Sequence, residues 1–204
     1  MMKFITPVAL MLLFLAACSQ NDNNNPATAT SPSTIEAVNN EAFTYEDIPG
    51  SDTKRAYKKG VNNRILEEGF MRNGQKTGLW CSYKKQYIFP DQMVSYENGM
   101  RNGPYYEFTE RGTVTLKANY LNNKLHGYWA TFKFSKPTAV ANYVNGQLDG
   151  AYQEFDDRNN YMTVETMYKN GKQDGHKRFF DENGKITMEY EYKNGEKISG
   201  GIVK

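Results

Sequence analysis

The sequence predicts an all-β fold: an elongated, twisted antiparallel sheet of successive β-hairpins with a period of about 24 residues. Three observations carry this. The first is a recurring Asn-Gly, three residues, Gly and then an aromatic. It reads Asn73-Gly74…Gly78-Leu79-Trp80, Asn98-Gly99…Gly103-Pro104-Tyr105 and Asn122-Asn123…Gly127-Tyr128-Trp129. It continues as Asn145-Gly146…Gly150-Ala151-Tyr152 and Asn170-Gly171…Gly175-His176-Lys177, and frays at Asn194-Gly195. First-glycine positions are spaced by 25, 24, 23, 25 and 24 residues, Asn123 standing in once for glycine. The second is apolar–polar alternation with period two between these motifs, which argues half-buried strands. The third is composition: 14% aromatic residues, including 15 Tyr, at a mean hydropathy of −0.76. Many rings in so polar a chain suit a thin sheet better than a thick core.

In chain order, residues 1–17 carry a basic start at Lys3 and an apolar run from Phe4 to Ala17. That run is shorter than the roughly 18 residues a spanning helix needs, so it reads as a leader peptide. Leu15-Ala16-Ala17-Cys18 resembles the lipobox of bacterial lipoproteins, which implies cleavage before Cys18 and acyl chains on that cysteine. Several chains hold a protein to a bilayer where one does not, at about 0.8 kcal/mol per buried methylene. Ser19, where aspartate would imply retention at the inner membrane, points to the outer membrane. With Cys18 lipidated, Cys81 has no partner for an intrachain disulfide and reads as a packed strand residue.

Residues 18–42 are rich in Asn, Thr, Ser, Ala and Pro and too poor in apolar side chains to fold, so they are expected to form a flexible tether. Such a chain holds a domain roughly 25–30 Å from its anchor. The repeat domain is expected over 43–204, with Tyr57 to Arg72 as a degenerate first hairpin. Its basic cluster Lys54, Arg55, Lys58 and Lys59 reads as a solvated face.

Within each full repeat the Asn-Gly pair supplies the positive φ of a tight reversal. The repeat-turn glycines are Gly74, Gly78, Gly99, Gly103, Gly127, Gly146, Gly150, Gly171, Gly175 and Gly195. Return strands alternate, with Val114, Leu116, Ala118 and Tyr120 on one face. Met162, Val164, Thr166 and Tyr168 do the same, as do Ile186, Met188, Tyr190 and Tyr192. Aromatics recur at three positions. Tyr96, Tyr120, Tyr143, Tyr168 and Tyr192 precede the turn. Trp80, Tyr105, Trp129 and Tyr152 follow the second glycine by two, a row broken by Lys177. Tyr83, Phe108, Phe132, Phe155 and Phe180 follow it by five. The last two rows differ by three residues, so either a bulge realigns them or both faces carry rings.

The pattern Tyr-x-Asn-Gly-x-x-x-Gly-x-Trp/Tyr-x-x-Phe over roughly 57–200 resembles the MORN repeat, most closely its bacterial variant, the YwqK-type antitoxin-like repeat. The resemblance implies an elongated, twisted antiparallel sheet of successive hairpins, used for protein association or, in some members, for contact with lipid. The chain departs from it at Asn123, Lys177 and Ser199-Gly200, the last weakening a terminal copy.

The sequence shows no nucleophile elbow, phosphate loop or metal-ligand spacing, and no cofactor is expected. His126 shares its slot with Asn102, Asp149 and Asp174, a turn position tolerant of polar groups. Glu189 and Glu191, with Asp181, Glu182, Asp156 and Asp157 in nearby turns, read as a charged face; only carboxylates opposed across a cleft would suit glycoside hydrolysis. A net charge of +2 on an exported chain excludes nucleic acid as a partner class. The expectation is a non-enzymatic lipoprotein of the cell envelope, anchored through Cys18 and serving an unknown protein partner, with a glycan or lipid as the other class. The row Trp80, Tyr105, Trp129 and Tyr152 is the candidate interaction surface, with packing inside the sheet as its alternative. An immunity or antitoxin-like lipoprotein acting on an envelope toxin is the second functional expectation, and a glycan-processing enzyme the third.

Overall fold

The computed structural model describes residues 43–60, 63–84 and 88–203. The leader, Cys18 and the tether to Ala42 lie outside the described residues. The described chain is all-β. Its strands are β1 (Thr44–Asp47), β2 (Thr53–Lys59), β3 (Ile65–Arg72), β4 (Gln75–Ser82) and β5 (Gln92–Glu97). There follow β6 (Met100–Phe108), β7 (Val114–Leu121), β8 (Lys124–Lys133), β9 (Lys136–Val144) and β10 (Gln147–Phe155). The last four are β11 (Met162–Lys169), β12 (Lys172–Phe180), β13 (Ile186–Lys193) and β14 (Glu196–Ile202). All pair antiparallel in sequence order within one open sheet. The expected first hairpin is present as β2 and β3, and β1, which the repeat pattern does not announce, pairs ahead of it.

The Asn-Gly pairs close the odd-to-even hairpins on one long edge. Asn73 and Gly74 take φ of 51° and 74°, Asn145 and Gly146 52° and 87°, the double positive φ of a type I′ turn. These turns are bonded to one another across the repeat. The Gly99 amide donates to the Lys76 carbonyl (2.9 Å), Gly146 to Leu125 (2.7 Å), Gly171 to Leu148 (2.8 Å) and Gly195 to Gln173 (2.8 Å). Asn123 makes the same bond to Arg101 at 2.9 Å, which is why the substituted copy keeps its place.

The slot just before the second glycine completes this ladder. Asp149 accepts the Asn170 amide (3.1 Å), Asp174 the Asn194 amide (3.2 Å), and the His126 ring the Asn145 amide (3.4 Å). In these three copies the polar residue caps the next turn, whereas Asn102 in the same slot donates to Glu97 within its own hairpin. Asp149→Ala leaves the Asn170 amide to water and is expected to cost about 1 kcal/mol of stability, read from urea unfolding.

The second glycine stands inside a strand, at a slip in register. Val94 faces Tyr105 but Tyr96 faces Arg101, with Gly103 between at φ 101°. A slip of two residues preserves which face each side chain takes. A second slip, of one residue, falls just before the Phe position: Glu107 faces Leu116, but Phe108 faces Val114. It removes Val114 from the face of Leu116, Ala118 and Tyr120, where unbroken alternation put it. Met162, opposite Phe155, and Ile186, opposite Phe180, leave their faces in the same way.

Candidate interaction surfaces

The register lines up one row across the first face of the sheet: Trp80, Val94, Tyr105, Ala118, Trp129, Ala141, Tyr152, Thr166, Lys177 and Tyr190. From β4 to β11 large rings on even strands alternate with small side chains on odd ones. Each ring therefore leans over a small neighbour and meets, edge to face, the tyrosine two residues further along the next strand. Trp80 meets Tyr96, Tyr105 meets Tyr120, Trp129 meets Tyr143 and Tyr152 meets Tyr168, at centroid separations of 6.4, 5.6, 6.3 and 6.3 Å. Pairs of this geometry add about 0.5–1.5 kcal/mol each beyond burial. Lys177 interrupts the row, and Tyr190 on the following strand supplies the missing ring, edge-on to Phe179 at 6.1 Å.

A third set of side chains covers these rings. The residue two after each first glycine (Lys76, Arg101, Leu125, Leu148, Gln173, Lys197) lies opposite the tyrosine row or Met71. The Lys76 ammonium stands 4.3 Å from the Trp80 centroid and 2.7 Å from Glu67. Lys197 stands 4.1 Å from Tyr190, and Arg101 5.6 Å from Tyr120. Phe43 closes the N-terminal end against Trp80 at 5.5 Å. Trp80, Tyr105 and Tyr152 are consequently only 2%, 8% and 8% exposed, and Trp129 is half-buried. A ligand approaching this face meets the covering side chains first. The period-24 recurrence of a long side chain after the turn was the available signal for them.

Burial pushes the Tyr152 hydroxyl from its ordinary 10.0 up to about 12, with Glu154 adding to the shift; burial also pushes Tyr105, Tyr120 and Tyr143 upward. A raised folded value means that this stability is complete below pH 10 and lost as pH rises through 12. The sheet is expected to melt cooperatively in that window. Circular dichroism and ultraviolet phenolate titration should move together; phenolates appearing near 10 with the sheet intact would contradict the burial.

The Phe row lies on the second face, so both faces carry rings. The Lys117 ammonium sits 5.4 Å from the Phe132 ring, and the Tyr83 hydroxyl donates to Glu68 at 3.0 Å. The second face divides in two. From β3 to β9 it exposes apolar side chains among polar ones such as Ser95, Lys117, Asn119 and Asn142: Phe70, Leu79, Leu121, Tyr128 and Val144 are 39–49% exposed. From β10 to β13 it carries a charged row, Gln153, Glu165, Arg178 and Glu189. Glu165 accepts from Gln153 (2.8 Å) and contacts His176 (2.9 Å), which together hold its carboxyl below its ordinary value. Glu189 accepts from Arg178 at 2.8 Å. Asp156 and Asp181 are spent on amides of their own turns, and Asp157 pairs with Lys133. The carboxylates thus sit along an open face and do not oppose one another across a cleft.

Other expected groups fall into the framework. Burial pushes the Cys81 thiol up, as does Glu68 beside it, so it stays protonated at neutral pH. The basic cluster splits between the faces: Lys54 pairs with Asp47, and Arg55 with Glu46 and Glu68. Among the described residues no group of His, Cys, Asp and Glu has a metal-holding arrangement. No protein-family model matches this chain, and no curated protein does either.

Proposed function

We propose that this chain is a lipid-anchored, non-enzymatic interaction module of the bacterial cell envelope, held at the outer membrane through Cys18 and offering a MORN-type sheet to a protein partner. The observation that carries the reading is the second face between β3 and β9. Phe70 and Leu79 on β3 and β4, with Leu121, Tyr128 and Val144 on β7 to β9, leave an apolar stripe, interrupted at Ser95 and Asn119, beside the Asn-Gly edge. Exposed apolar stripes with a charged border are a common form of protein contact surface. The ring row on the first face serves it by holding the strands rigid, which reduces the ordering cost of binding.

The test is capture of envelope proteins from detergent extract by the tagged chain, read by mass spectrometry, against a Leu79→Ser/Tyr128→Ser variant. Both positions are well exposed, so the variant should keep its urea midpoint within about 0.5 kcal/mol per site. One protein enriched by the parent and lost in the folded variant supports the reading. Equal capture by both would move the contact off this stripe, and no capture by either would end the scaffold interpretation.

A further inference from the structure

On strands β4 to β11 the aromatic rings of the first face are tryptophan or tyrosine throughout, although the chain has 11 Phe to draw on. Packing alone does not require this. Phenylalanine fills the same space and brings no phenol that a buried site must accommodate. What tryptophan and tyrosine share, and phenylalanine lacks, is a ring that gives up one electron readily. The rings are also continuous. Tyr96 packs both with the Trp80 cluster and with the cluster holding Tyr105, Tyr143 and Tyr152, against which Trp129 rests.

Of the two indoles, Trp129 is half-buried and Trp80 only 2% exposed, so a reagent in solution meets Trp129 first. Trp129 and Tyr105 lie on either side of Ala118, whose side chain is a single methyl group. At Tyr105 a proton has somewhere to go: the hydroxyl donates to Glu107, on the same strand, at 2.6 Å. Burial and this carboxylate push the Tyr105 hydroxyl upward, so it holds its proton at neutral pH and is oxidised only as that proton leaves. A carboxylate within hydrogen-bond reach is the acceptor such a step requires. The β4 end carries the opposite charge, where the Lys76 ammonium, 4.3 Å from the Trp80 centroid, opposes a positive ring.

We propose that the first-face row is a relay for oxidising equivalents: a small radical oxidant takes one electron from Trp129, and the deficiency comes to rest on Tyr105 with its proton on Glu107. The oxidant is reduced to its anion and Trp129 becomes a radical cation. One electron then passes from Tyr105 to Trp129, which returns to a closed-shell indole, while the Tyr105 O–H bond breaks and its proton joins the Glu107 carboxylate. The products are the oxidant's anion, a neutral phenoxyl and a protonated carboxyl. A phenoxyl only 8% exposed is shielded from coupling with a second chain. It lasts until a thiol or similar reductant returns the electron and Glu107 returns the proton. This activity needs no macromolecular partner, and it stands apart from the lipoprotein reading and from the second face.

The test is pulse radiolysis of the full chain in neutral azide solution, because the azidyl radical oxidises indole in preference to phenol. Transient absorption should show the indolyl band give way to a phenoxyl band in a first-order step whose rate does not change with protein concentration. Tyr105→Phe keeps the ring and should lower the phenoxyl yield several-fold. Trp129→Phe should lower the initial indolyl yield several-fold. Glu107→Gln still accepts the hydrogen bond but not the proton, and should slow the step several-fold. Urea unfolding verifies that each variant is folded. Tyr128, 49% exposed and next to Trp129 in the chain, is the competing donor. A phenoxyl band lost in Tyr128→Phe and kept in Tyr105→Phe would overturn the relay, as would an indolyl decay that follows protein concentration. An undiminished rate in Glu107→Gln would overturn the placing of the proton, and with it Tyr105 as the resting site.

Discussion

Gly69→Ala is expected to destabilise the sheet by about 3 kcal/mol. A Cβ at this position falls 2.3–2.5 Å from three atoms of the Trp80 indole. The strand has nowhere to retreat, because Gly69 is paired with Ala56 on β2. The ring is equally confined by Phe43, Tyr96 and Lys76, and its N–H donates to the Phe70 carbonyl at 3.0 Å. Relief requires the indole to leave its site. Overpacking costs about 1–3 kcal/mol and loss of a buried tryptophan about 3–5 kcal/mol, so the effect lies where these ranges meet. Trp80→Ala alone should cost about 3–5 kcal/mol. The Gly69→Ala/Trp80→Ala pair should be no worse than Trp80→Ala, since the clash needs both groups. Urea midpoints of the four proteins close this cycle, and additive losses would show that the two residues do not touch.

Gly200→Ala is expected to release β14 from the sheet. The added Cβ lands 2.2 Å from the Glu189 carbonyl oxygen and 2.5 Å from the Tyr190 Cα, both backbone atoms, and the residue sits at φ 118°. β13 is held by its other ladder, to β12, so β14 at the end of the sheet must part from it. Lys197 is then withdrawn from the Tyr190 ring. Because each strand contacts only its neighbours, the loss stays local. Amide exchange should lose protection across Glu196–Ile202 while β3 to β10 remain protected. The adjacent control is sharp: a Cβ at Gly201 meets nothing within 4 Å, and Gly201→Ala should leave exchange unchanged. Retained protection in the Gly200→Ala protein would refute the close approach.

Much of this was legible in the sequence for definite physical reasons. The Asn-Gly pairs announce their turns because few residues accept two successive positive φ angles. The alternation along Leu116, Ala118 and Tyr120 announces strands because only one face meets neighbouring side chains. What stayed hidden depended on register. Nothing in Gly103 itself says that the β5–β6 ladder slips by two residues there and sets Val94 opposite Tyr105, or that the same slip between β7 and β8 sets Ala118 opposite Trp129. The one-residue slip beside Phe108 arises on the partner strand, so the Phe row keeps the face that alternation gives it and Val114 changes face instead. The exchange of roles between Lys177 and Tyr190 is visible only once β12 and β13 are aligned. The two-residue turn of Phe134 and Ser135 between β8 and β9 gives no turn signal, because phenylalanine is not a residue that a φ of 50° favours. The repeat period located hairpins well and contact surfaces poorly, since exposure is set between strands and not along one.

The amide-to-carbonyl ladder linking successive Asn-Gly turns gives the sheet a direction under load. Each later turn closes on a carbonyl supplied by the strand before it, so stripping a strand from the N-terminal side uncaps the next turn, while stripping from the other side leaves earlier turns intact. A chain held at its N-terminus and pulled elsewhere would therefore unzip from its held end in steps of one repeat, each releasing roughly 80 Å of extended chain. The stacking that holds the sheet together thus gives it a preferred end from which to come apart under load.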